Sequence, residues 1–264
     1  MQGGLGNQLF CLAFARTLHL LTGDLIGIDL TSYSGYRFGH RYALWDLAER
    51  IDGVIHRDAP MIGHRVISGG LRSLRWSIPG YVSEPRGPVD GAVAMGLSRR
   101  RGYFDGYWQD EAYVLDPAPF VAVVRDFIAD RSSPSEPVEV ALHFRTYAEE
   151  NHPVFSRTPG REYFIRAVAR IEADLGPVSR ILLLSDNPDV AMRRIGDIGR
   201  RIDPTVGAGA FDDLRRLMEA RALILTNSSF SWWGAYCGRA EVVTYPPRDG
   251  LFHYPIPAPR FVCF

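Results

Sequence analysis

The sequence lacks several features that define large classes of protein. Its 264 residues include only three cysteines, Cys11, Cys237 and Cys263, without CxxC spacing. An odd number of scattered cysteines argues against a disulfide framework and against a zinc site. No apolar run approaches the roughly 20 residues of a membrane-spanning helix, and the start lacks the regions of a signal peptide. We therefore predict buried free thiols and a cytoplasmic location.

An excess of charge of either sign is also missing. Thirty basic and thirty acidic residues give a formal net charge of +0. A chain without a net basic field has no overall electrostatic attraction for nucleic acid. Nucleic acid is therefore not an expected partner, and any phosphate site must be formed locally.

Metal-binding patterns are missing as well. The sequence has no Asp-x-Asp motif beside an apolar strand, and its seven histidines are scattered. Carboxylate pairs of that kind hold the cation in metal-dependent transferases. We therefore predict no metal site.

The clearest feature present is a regular alternation of strand and helix patterns after residue 137. The predicted strands are residues 138–144, 181–184, 222–225 and 241–245, and the predicted helices are residues 161–175, a segment after Pro188, residues 212–220 and a segment from Ser231. Such alternation indicates a parallel sheet with right-handed crossovers. The first half starts in the same way, with a helix that ends near Gly23 and a strand at residues 25–30.

A linker is predicted at residues 132–136, where the sequence is Ser-Ser-Pro-Ser-Glu. Proline and small polar residues of this kind are typical of connections between domains. We therefore predict an α/β protein with an amino-terminal domain, residues 1–131, and a carboxyl-terminal domain, residues 137–264.

A polar loop follows the predicted strand at residues 222–225. Asn227, Ser228 and Ser229 precede a Phe-Ser-Trp-Trp-Gly segment that can begin a helix. In open α/β sheets such loops lie at the carboxyl ends of strands, where free N–H groups and the helix dipole attract phosphate. The alternative is that Asn227 and the serines only cap the next helix. The segment alone leaves both interpretations open.

A glycine-dense loop at the start of the chain is a second candidate for ligand binding. Residues 3–8, Gly-Gly-Leu-Gly-Asn-Gln, lead directly into an apolar helix. Glycines let a backbone approach a ligand closely. Their spacing matches neither the P-loop nor the dinucleotide fingerprint, and an ordinary tight turn would also explain them.

Five segments together resemble the motifs of a known family. They are Gly3-Gly4-Leu5-Gly6-Asn7-Gln8, Gly106-Tyr107-Trp108-Gln109, Ser185-Asp186-Asn187, Phe211-Asp212-Asp213-Leu214 and Asn227-Ser228-Ser229-Phe230-Ser231-Trp232-Trp233-Gly234-Ala235. In this order they resemble the bacterial α-1,2-fucosyltransferase family, glycosyltransferase family 11. The resemblance implies two Rossmann-like domains facing a cleft, the GT-B arrangement. Because family members place a short strand before the glycine loop, it also implies that the amino-terminal strand is truncated here.

The resemblance implies an inverting, metal-independent transfer of L-fucose from GDP-fucose to a glycan hydroxyl, with the 2-OH of a galactoside as the expected acceptor. The expected partners are a nucleotide-sugar donor and an oligosaccharide or lipid-linked glycan acceptor, which can bring peripheral membrane contact. No cofactor is implied besides the donor substrate itself.

The family's His-x-Arg-Arg-x-Asp motif corresponds here to His143, Phe144 and Arg145, with Thr146 in place of the second arginine. A guanidinium matches phosphate oxygens bidentately and would stabilise charge on the GDP leaving group, so Arg145 is the first catalytic candidate. A structural ion pair is the alternative for Arg145. His143, also assigned to catalysis, could contact the nucleotide or be a core histidine. Glu149 and Glu150 are candidates for the base, although adjacent carboxylates usually form a solvated loop.

The departure at Thr146 leaves two other functions open. One is a transferase of the same fold that uses another GDP-linked sugar. The other is a degenerate, non-catalytic relative that binds carbohydrate.

The donor-binding residues implied by the resemblance are Gly4, Gly6, Asp186, Asp213, Asn227, Ser228, Ser229 and Phe230. Asp213 is expected to read guanine or ribose, and Asp186 to contact ribose or base; helix capping is the alternative for both. Ser228 and Ser229 are assigned to the phosphates. Asn7 is assigned to the fucose or phosphate and counted as catalytic.

The acceptor-binding residues implied by the resemblance are Tyr107, Trp108 and Gln109. Aromatic faces suit the apolar faces of pyranose rings, and an amide suits their hydroxyls. The alternative is that these aromatic residues form a packing cluster.

Overall fold

The computed structural model describes residues 1, 3–30, 33, 42–57, 80–84, 96, 102–134, 136–146, 158–205, 209–246 and 257–264. The chain divides into two compact units, Met1–Val124 and Arg125–Phe264. The predicted domain limits at residues 131 and 137 stay a prediction. No helix in these ranges is long and apolar enough to cross a membrane.

The first unit is built from short parallel strand pairs and a long helix. Its elements are α1 (Leu5–Thr22), β1 (Ile26–Asp29), α2 (Trp45–Glu49), β2 (Val54–Arg57), β3 (Tyr81–Ser83), β4 (Tyr103–Asp105), a 3-10 turn (Glu111–Tyr113) and the start of α3 (Pro117–Arg131). In its described part, β1 pairs with β2 and β3 pairs with β4, each in parallel. The helix and strand predicted for residues 9–30 are thereby confirmed.

The helix α1 ends where the sequence predicted. Gly23 adopts a left-handed conformation, with φ of 72°, and its N–H donates to the carbonyl of His19. Glycine takes this conformation without the steric cost of a Cβ. The buried face of α1 contributes Cys11, Phe14 and Leu18 to a core that also contains Trp108.

The described part of the second unit forms a parallel sheet of six strands. Its strands are β5 (Val140–Phe144), β6 (Arg180–Ser185), β7 (Arg201–Pro204), β8 (Ala222–Ile224), β9 (Val242–Tyr245) and β10 (Val262–Cys263), and its helices besides the end of α3 are α4 (Arg161–Leu175), α5 (Pro188–Ile195), α6 (Ala210–Glu219) and α7 (Ser229–Cys237). The elements predicted from periodicity are confirmed to within two residues. The edge strands β7 and β10 were not predicted, because β7 is largely polar and β10 has only two residues.

The central strand β5 is buried along its whole length. Val140, Leu142 and Phe144 form a core cluster with Phe164 and Ile171 of α4. Because successive side chains of a strand alternate between its two faces, His143 points to the opposite face of the sheet. The apolar run at 140–144 thus reflects a strand covered on both sides, as is usual in parallel sheets.

The strand order is β10-β9-β8-β5-β6-β7. From β5 the chain moves outward through β6 and β7, and then returns to the other side of β5 with β8. In doubly wound sheets of this order, ligands bind outside the carboxyl ends of the strands where the direction of winding reverses, which here is between β5 and β8. The predicted α/β class with parallel sheets is confirmed, and the arrangement of two similar domains around a cleft stays a prediction.

Candidate active site

Thr226 ties together the carboxyl ends of β5 and β8. Its hydroxyl donates to the carbonyl of His143 at 3.1 Å and accepts from the backbone N–H of Arg145 at 3.3 Å. Thr226 is 1% exposed, and its bond to the His143 carbonyl is fully buried. They fix the backbone on either side of Phe144 at the point where the winding reverses.

Asp186, directly after β6, holds the residues that follow β5. Its Oδ1 accepts from the backbone N–H of Thr146 at 2.7 Å and from the Thr146 hydroxyl at 2.9 Å. Its Oδ2 lies 3.4 Å from Nη1 of Arg145. The Arg145 side chain is 37% exposed, so its guanidinium is held at the strand ends while still reaching solvent. Arg145 therefore makes the ion pair considered for it, in a position where it could also meet an anion.

The helix-capping alternative for Asp186 does not describe the structure. Asn187 is the N-cap of α5, and its side chain accepts from the backbone N–H of Val190 at 3.3 Å. Pro188 follows at the first helical position, where its missing N–H is not needed. The carboxylate of Asp186 is left for Arg145 and Thr146.

Substituting valine for Thr146 should lower the free energy of unfolding by about 1–2 kcal/mol. The change removes the hydroxyl that donates to Asp186 and leaves a shape of nearly the same volume in a fully buried position. Urea denaturation measures this loss. Thr146→Ser keeps the hydroxyl and should recover much of the loss; equal destabilisation by serine and valine would show that the hydrogen bond contributes little.

His143 is a buried, neutral histidine. It is 6% exposed, its ring lies 5.2 Å from that of Phe230, and its Nδ1 has no hydrogen-bond partner in the described part of the chain. Burial, with the positive charge of Arg145 nearby, lowers the pKa of His143 to about 3. An unpaired buried nitrogen is unfavourable, so His143 is not a fully satisfied core histidine.

Acidification below about pH 6.5 should destabilise the protein through His143. An unfolded chain protonates histidine near pH 6.5, whereas burial holds the pKa of folded His143 at about 3. Between these values the unfolded state binds one more proton, so this group lowers the free energy of unfolding by about 1.4 kcal/mol per unit of decreasing pH.

Urea titrations at several pH values measure that slope, and His143→Gln should reduce it. His19→Gln is the matched control, because the ring of His19 is only half-buried. An unchanged slope in His143→Gln would mean that other groups dominate the acid dependence.

The loop after β8 and the first turn of α7 bring Asn227, Ser228, Ser229 and Phe230 to the same edge of the sheet. Asn227 and Ser228 are buried, and Ser228 is the N-cap residue of α7. Its side chain makes no capping hydrogen bond; it is the Ser228 carbonyl that accepts, from the N–H of Trp232 at 3.0 Å. The positive end of the α7 dipole therefore meets this edge of the sheet, as an anion site requires.

Asp213 lies in the first turn of α6. Asp212 rather than Asp213 makes the capping contacts, because its side chain accepts from the N–H groups of Gly209 and Ser133. Asp213 instead contacts Nη1 of Arg216 at 3.1 Å, and burial raises the pKa of its carboxyl above the usual value. The structure thus separates Asp213 from a capping role, and its expected contact with guanine or ribose stays a prediction.

In the first unit, the structure brings Asn7 and Gln109 together. The side-chain amide of Gln109 donates from Nε2 to Oδ1 of Asn7 at 2.7 Å. Asn7 lies in the first turn of α1, which Gly4 precedes as N-cap residue and in which Gly6 is buried. Residues that the sequence assigned to different substrates therefore form one pair.

The aromatic residues beside Gln109 divide between core and surface. Trp108 is 2% exposed, and its ring stacks on that of Phe14 with centroids 4.0 Å apart. Tyr107 is half-buried. This geometry favours the packing interpretation for Trp108, and the acceptor role of Tyr107 and Trp108 stays a prediction.

Two residues that organise the site were not singled out from the sequence. Thr226 stands beside the polar loop, so its position after a buried strand was an available signal. Glu84 accepts from the backbone N–H groups of Tyr107 and Gln109; it belongs to no motif, so no local pattern marked it. Glu149 and Glu150, considered as bases, lie outside the described residues.

Within the described residues no group of three or more His, Cys, Asp or Glu side chains could hold a metal ion.

Comparisons with solved structures and curated proteins add little. Two crystal structures of POFUT1 in complex with GDP are similar, one with a TM-score of 0.37 and 10% identity over 89% of this chain and 92% of that chain. The other has a TM-score of 0.39 and 11% identity over 92% of this chain and 95% of that chain. Likeness at this level supports no conclusion, and no curated protein matches the sequence.

The family comparison is decisive by contrast. Residues 86–247, more than half of the chain, match glycosyl transferase family 11. The matched region contains four of the five motif segments, together with His143 and Arg145. The chain therefore belongs to glycosyl transferase family 11, the α-1,2-fucosyltransferase family.

Proposed function

We propose that this protein is an inverting, metal-independent glycosyltransferase that moves L-fucose from GDP-fucose to a hydroxyl of a glycan, the 2-OH of a galactoside. The observation that supports this most directly is the position of Arg145. It lies at the winding reversal of the sheet, is held by Asp186, and remains over a third exposed. The cytoplasmic location and the lipid-linked or oligosaccharide acceptor, with its peripheral membrane contact, remain part of the same hypothesis.

The enzyme must stabilise the negative charge that develops on the GDP leaving group. The bond between fucose C1 and the β-phosphate oxygen breaks as the acceptor oxygen bonds to C1 from the opposite face, so a β-linked donor gives an α-linked product. The electron pair leaves with GDP, and the proton of the acceptor hydroxyl passes to a base. Arg145 and the amino end of α7, with Ser228 and Ser229, would stabilise the departing diphosphate.

The remaining candidates are assigned around this centre. His143, held neutral by burial, would contact the nucleotide with its unpaired Nδ1 as hydrogen-bond acceptor or donor according to tautomer. Asp186 would position both Arg145 and Thr146, because its Oδ2 lies beside Arg145 and its Oδ1 accepts from Thr146; its expected contact with ribose or base stays a prediction. Asn227 and Phe230 complete the donor edge, and Asp213 is proposed as the guanine reader.

A transferase for another GDP-linked sugar is the second candidate. The observation that favours it is Thr146, which stands where the family has its second arginine and is bonded to Asp186. One cation fewer beside the diphosphate could accompany a different donor.

Calorimetry with GDP-fucose, GDP-mannose, UDP-galactose and GDP, paired with turnover assays, tests the proposal. We expect GDP and GDP-fucose to bind, UDP-galactose to bind poorly, and only GDP-fucose to be consumed in the presence of a β-galactoside. Tight GDP binding with turnover of GDP-mannose alone would replace the first candidate by the second. Carbohydrate binding without any turnover would indicate a non-catalytic relative.

Turnover should persist in excess EDTA. In the proposed mechanism a fixed guanidinium and a helix terminus, rather than a divalent cation, stabilise the diphosphate. The measurement is the initial rate before and after chelation, and again after magnesium or manganese is added back. Abolished turnover that either metal restores would require a metal-centred mechanism.

A further inference from the structure

The segment of residues 106–109 adopts a backbone conformation that needs support. Trp108 has a φ of 58°, in the left-handed region that residues with a Cβ adopt at a cost. Its ring is nonetheless fixed in the core against Phe14. Such conformations persist only where neighbouring groups hold the backbone in place.

Glu84 provides that support with one carboxylate. Its Oε2 accepts from the N–H of Tyr107 at 2.7 Å, and its Oε1 accepts from the N–H of Gln109 at 3.0 Å. The two bonded residues flank Trp108. The backbone N–H of Glu84 also donates to the carbonyl of Asp105 at 3.0 Å, so main chain and side chain hold the same segment. Hydrogen bonds to an ionised carboxylate are stronger than those to a neutral oxygen.

The approach of Glu84 is close enough to exclude a side chain at position 106. A Cβ added to Gly106 would lie 2.5 Å from the Cβ of Glu84. The glycine of the Gly-Tyr-Trp-Gln motif therefore has a physical reason in this chain, and that reason is Glu84.

The hydrogen bonds from the backbone to Glu84 determine where the Gln109 side chain lies. Gln109 is 8% exposed, its Nε2 donates to Asn7, and its Oε1 is buried without a hydrogen-bond partner among the described residues. A buried amide oxygen in that state is unfavourable until a donor reaches it. A hydroxyl group, which can donate and accept, fits such an amide pair.

We propose that Glu84 is a positioning residue for a carbohydrate-hydroxyl subsite formed by Asn7 and Gln109. The inference rests on the proposed sugar transfer, and the hydroxyl belongs either to the fucose of the donor or to the acceptor glycoside. Glu84 itself touches neither substrate; it acts by fixing the backbone from which Gln109 projects.

Glu84→Gln is the principal test, with Glu49→Gln as control. The variant keeps the shape of the side chain but turns one acceptor oxygen into a donor that faces a backbone N–H. We expect kcat/KM to fall by about 10- to 100-fold while the Kd for GDP stays unchanged. Glu49, exposed at the end of α2 in the same unit, should tolerate the change. An equal loss of affinity for GDP and for the sugar substrates would overturn the inference, because it would indicate a general disturbance of the structure.

The kinetic constants distinguish the two sources of the hydroxyl. A rise in KM for GDP-fucose assigns the subsite to the donor, and a rise in KM for the β-galactoside assigns it to the acceptor. Hydrogen exchange at the amides of Tyr107 and Gln109 should also be faster in Glu84→Gln at an unchanged melting temperature. Unaltered exchange would show that the carboxylate does not hold this segment.

A measurement on the wild-type protein keeps the inference testable if the variant does not fold. The side-chain amide resonances of Gln109 and Asn7 should shift on addition of GDP-fucose or a β-galactoside, and not with GDP. Fucose turnover without any such shift would overturn the subsite and leave the proposed function standing. A shift with a β-galactoside in a protein that does not consume GDP-fucose would support the subsite and contradict the proposed fucose transfer.

Discussion

Replacing Arg145 with lysine is expected to lower turnover by about a hundredfold or more while the protein stays folded. Lysine keeps the positive charge, but its ammonium cannot reproduce the bidentate geometry of a guanidinium toward phosphate oxygens. Loss of one preorganised stabiliser of a developing charge typically costs on the order of a hundredfold or more in rate. Steady-state kinetics with GDP-fucose measures the change, and the melting temperature checks folding.

Arg201→Lys is the matched control for that experiment. Arg201 also pairs with an aspartate, Asp203 at 2.8 Å, but its side chain is 74% exposed and lies on the edge strand β7. Exposed ion pairs contribute little to stability, so this substitution should leave both turnover and melting temperature near wild type. Wild-type turnover in Arg145→Lys would leave Arg145 as a structural partner of Asp186 only.

Asp213→Asn is expected to lower the affinity for GDP by roughly ten- to a few-hundredfold. If the carboxylate accepts from the N1–H and N2–H donors of guanine, asparagine places a donor against a donor and removes the charge from the hydrogen bond. ADP and UDP, which offer no such pair of donors, should bind poorly before and after the change. Calorimetry with the three nucleotides gives the comparison.

The structure supplies a control for Asp213 in its neighbour. Asp212 accepts from the N–H of the N-cap residue Gly209, so Asp212→Asn should affect the stability of α6 and leave the preference for GDP intact. Asp213→Asn also removes the contact with Arg216, which is partly exposed and so contributes little to stability. If the affinities for GDP, ADP and UDP all fall by the same factor in Asp213→Asn, another residue recognises guanine, and His143 is the next residue to test.

The predicted and observed elements agree best where local pattern and tertiary environment coincide. The strand β5 and the helix α4 were predicted well because an unbroken apolar run and a period of 3.6 residues are each direct consequences of burial in a parallel α/β sheet. The edge strand β7 was missed for the same reason. An edge strand is only partly covered, so the apolar signal is weak.

For two residues with alternative interpretations, the informative contacts come from residues distant along the chain. Asp186 and Asn187 are adjacent, and either could have capped α5. The backbone N–H of Thr146, 40 positions away, donates to Asp186, and Asn187 caps the helix. For Trp108 the alternatives were a sugar contact and core packing. Phe14 of α1 stacks on its ring, which favours packing, and the acceptor role stays a prediction.

The sequence by itself determined the family, the parallel α/β class and the position of Arg145 at the end of a buried strand, because motifs and hydrophobic periodicity are local properties of the chain. The tertiary structure alone decided which polar groups support the site. Thr226 joins β5 to β8, Asp186 joins β6 to β5, and Glu84 holds the segment before Gln109. Each of these bonds spans more than 20 positions, and the geometry that forms it exists only once the strands and helices have packed.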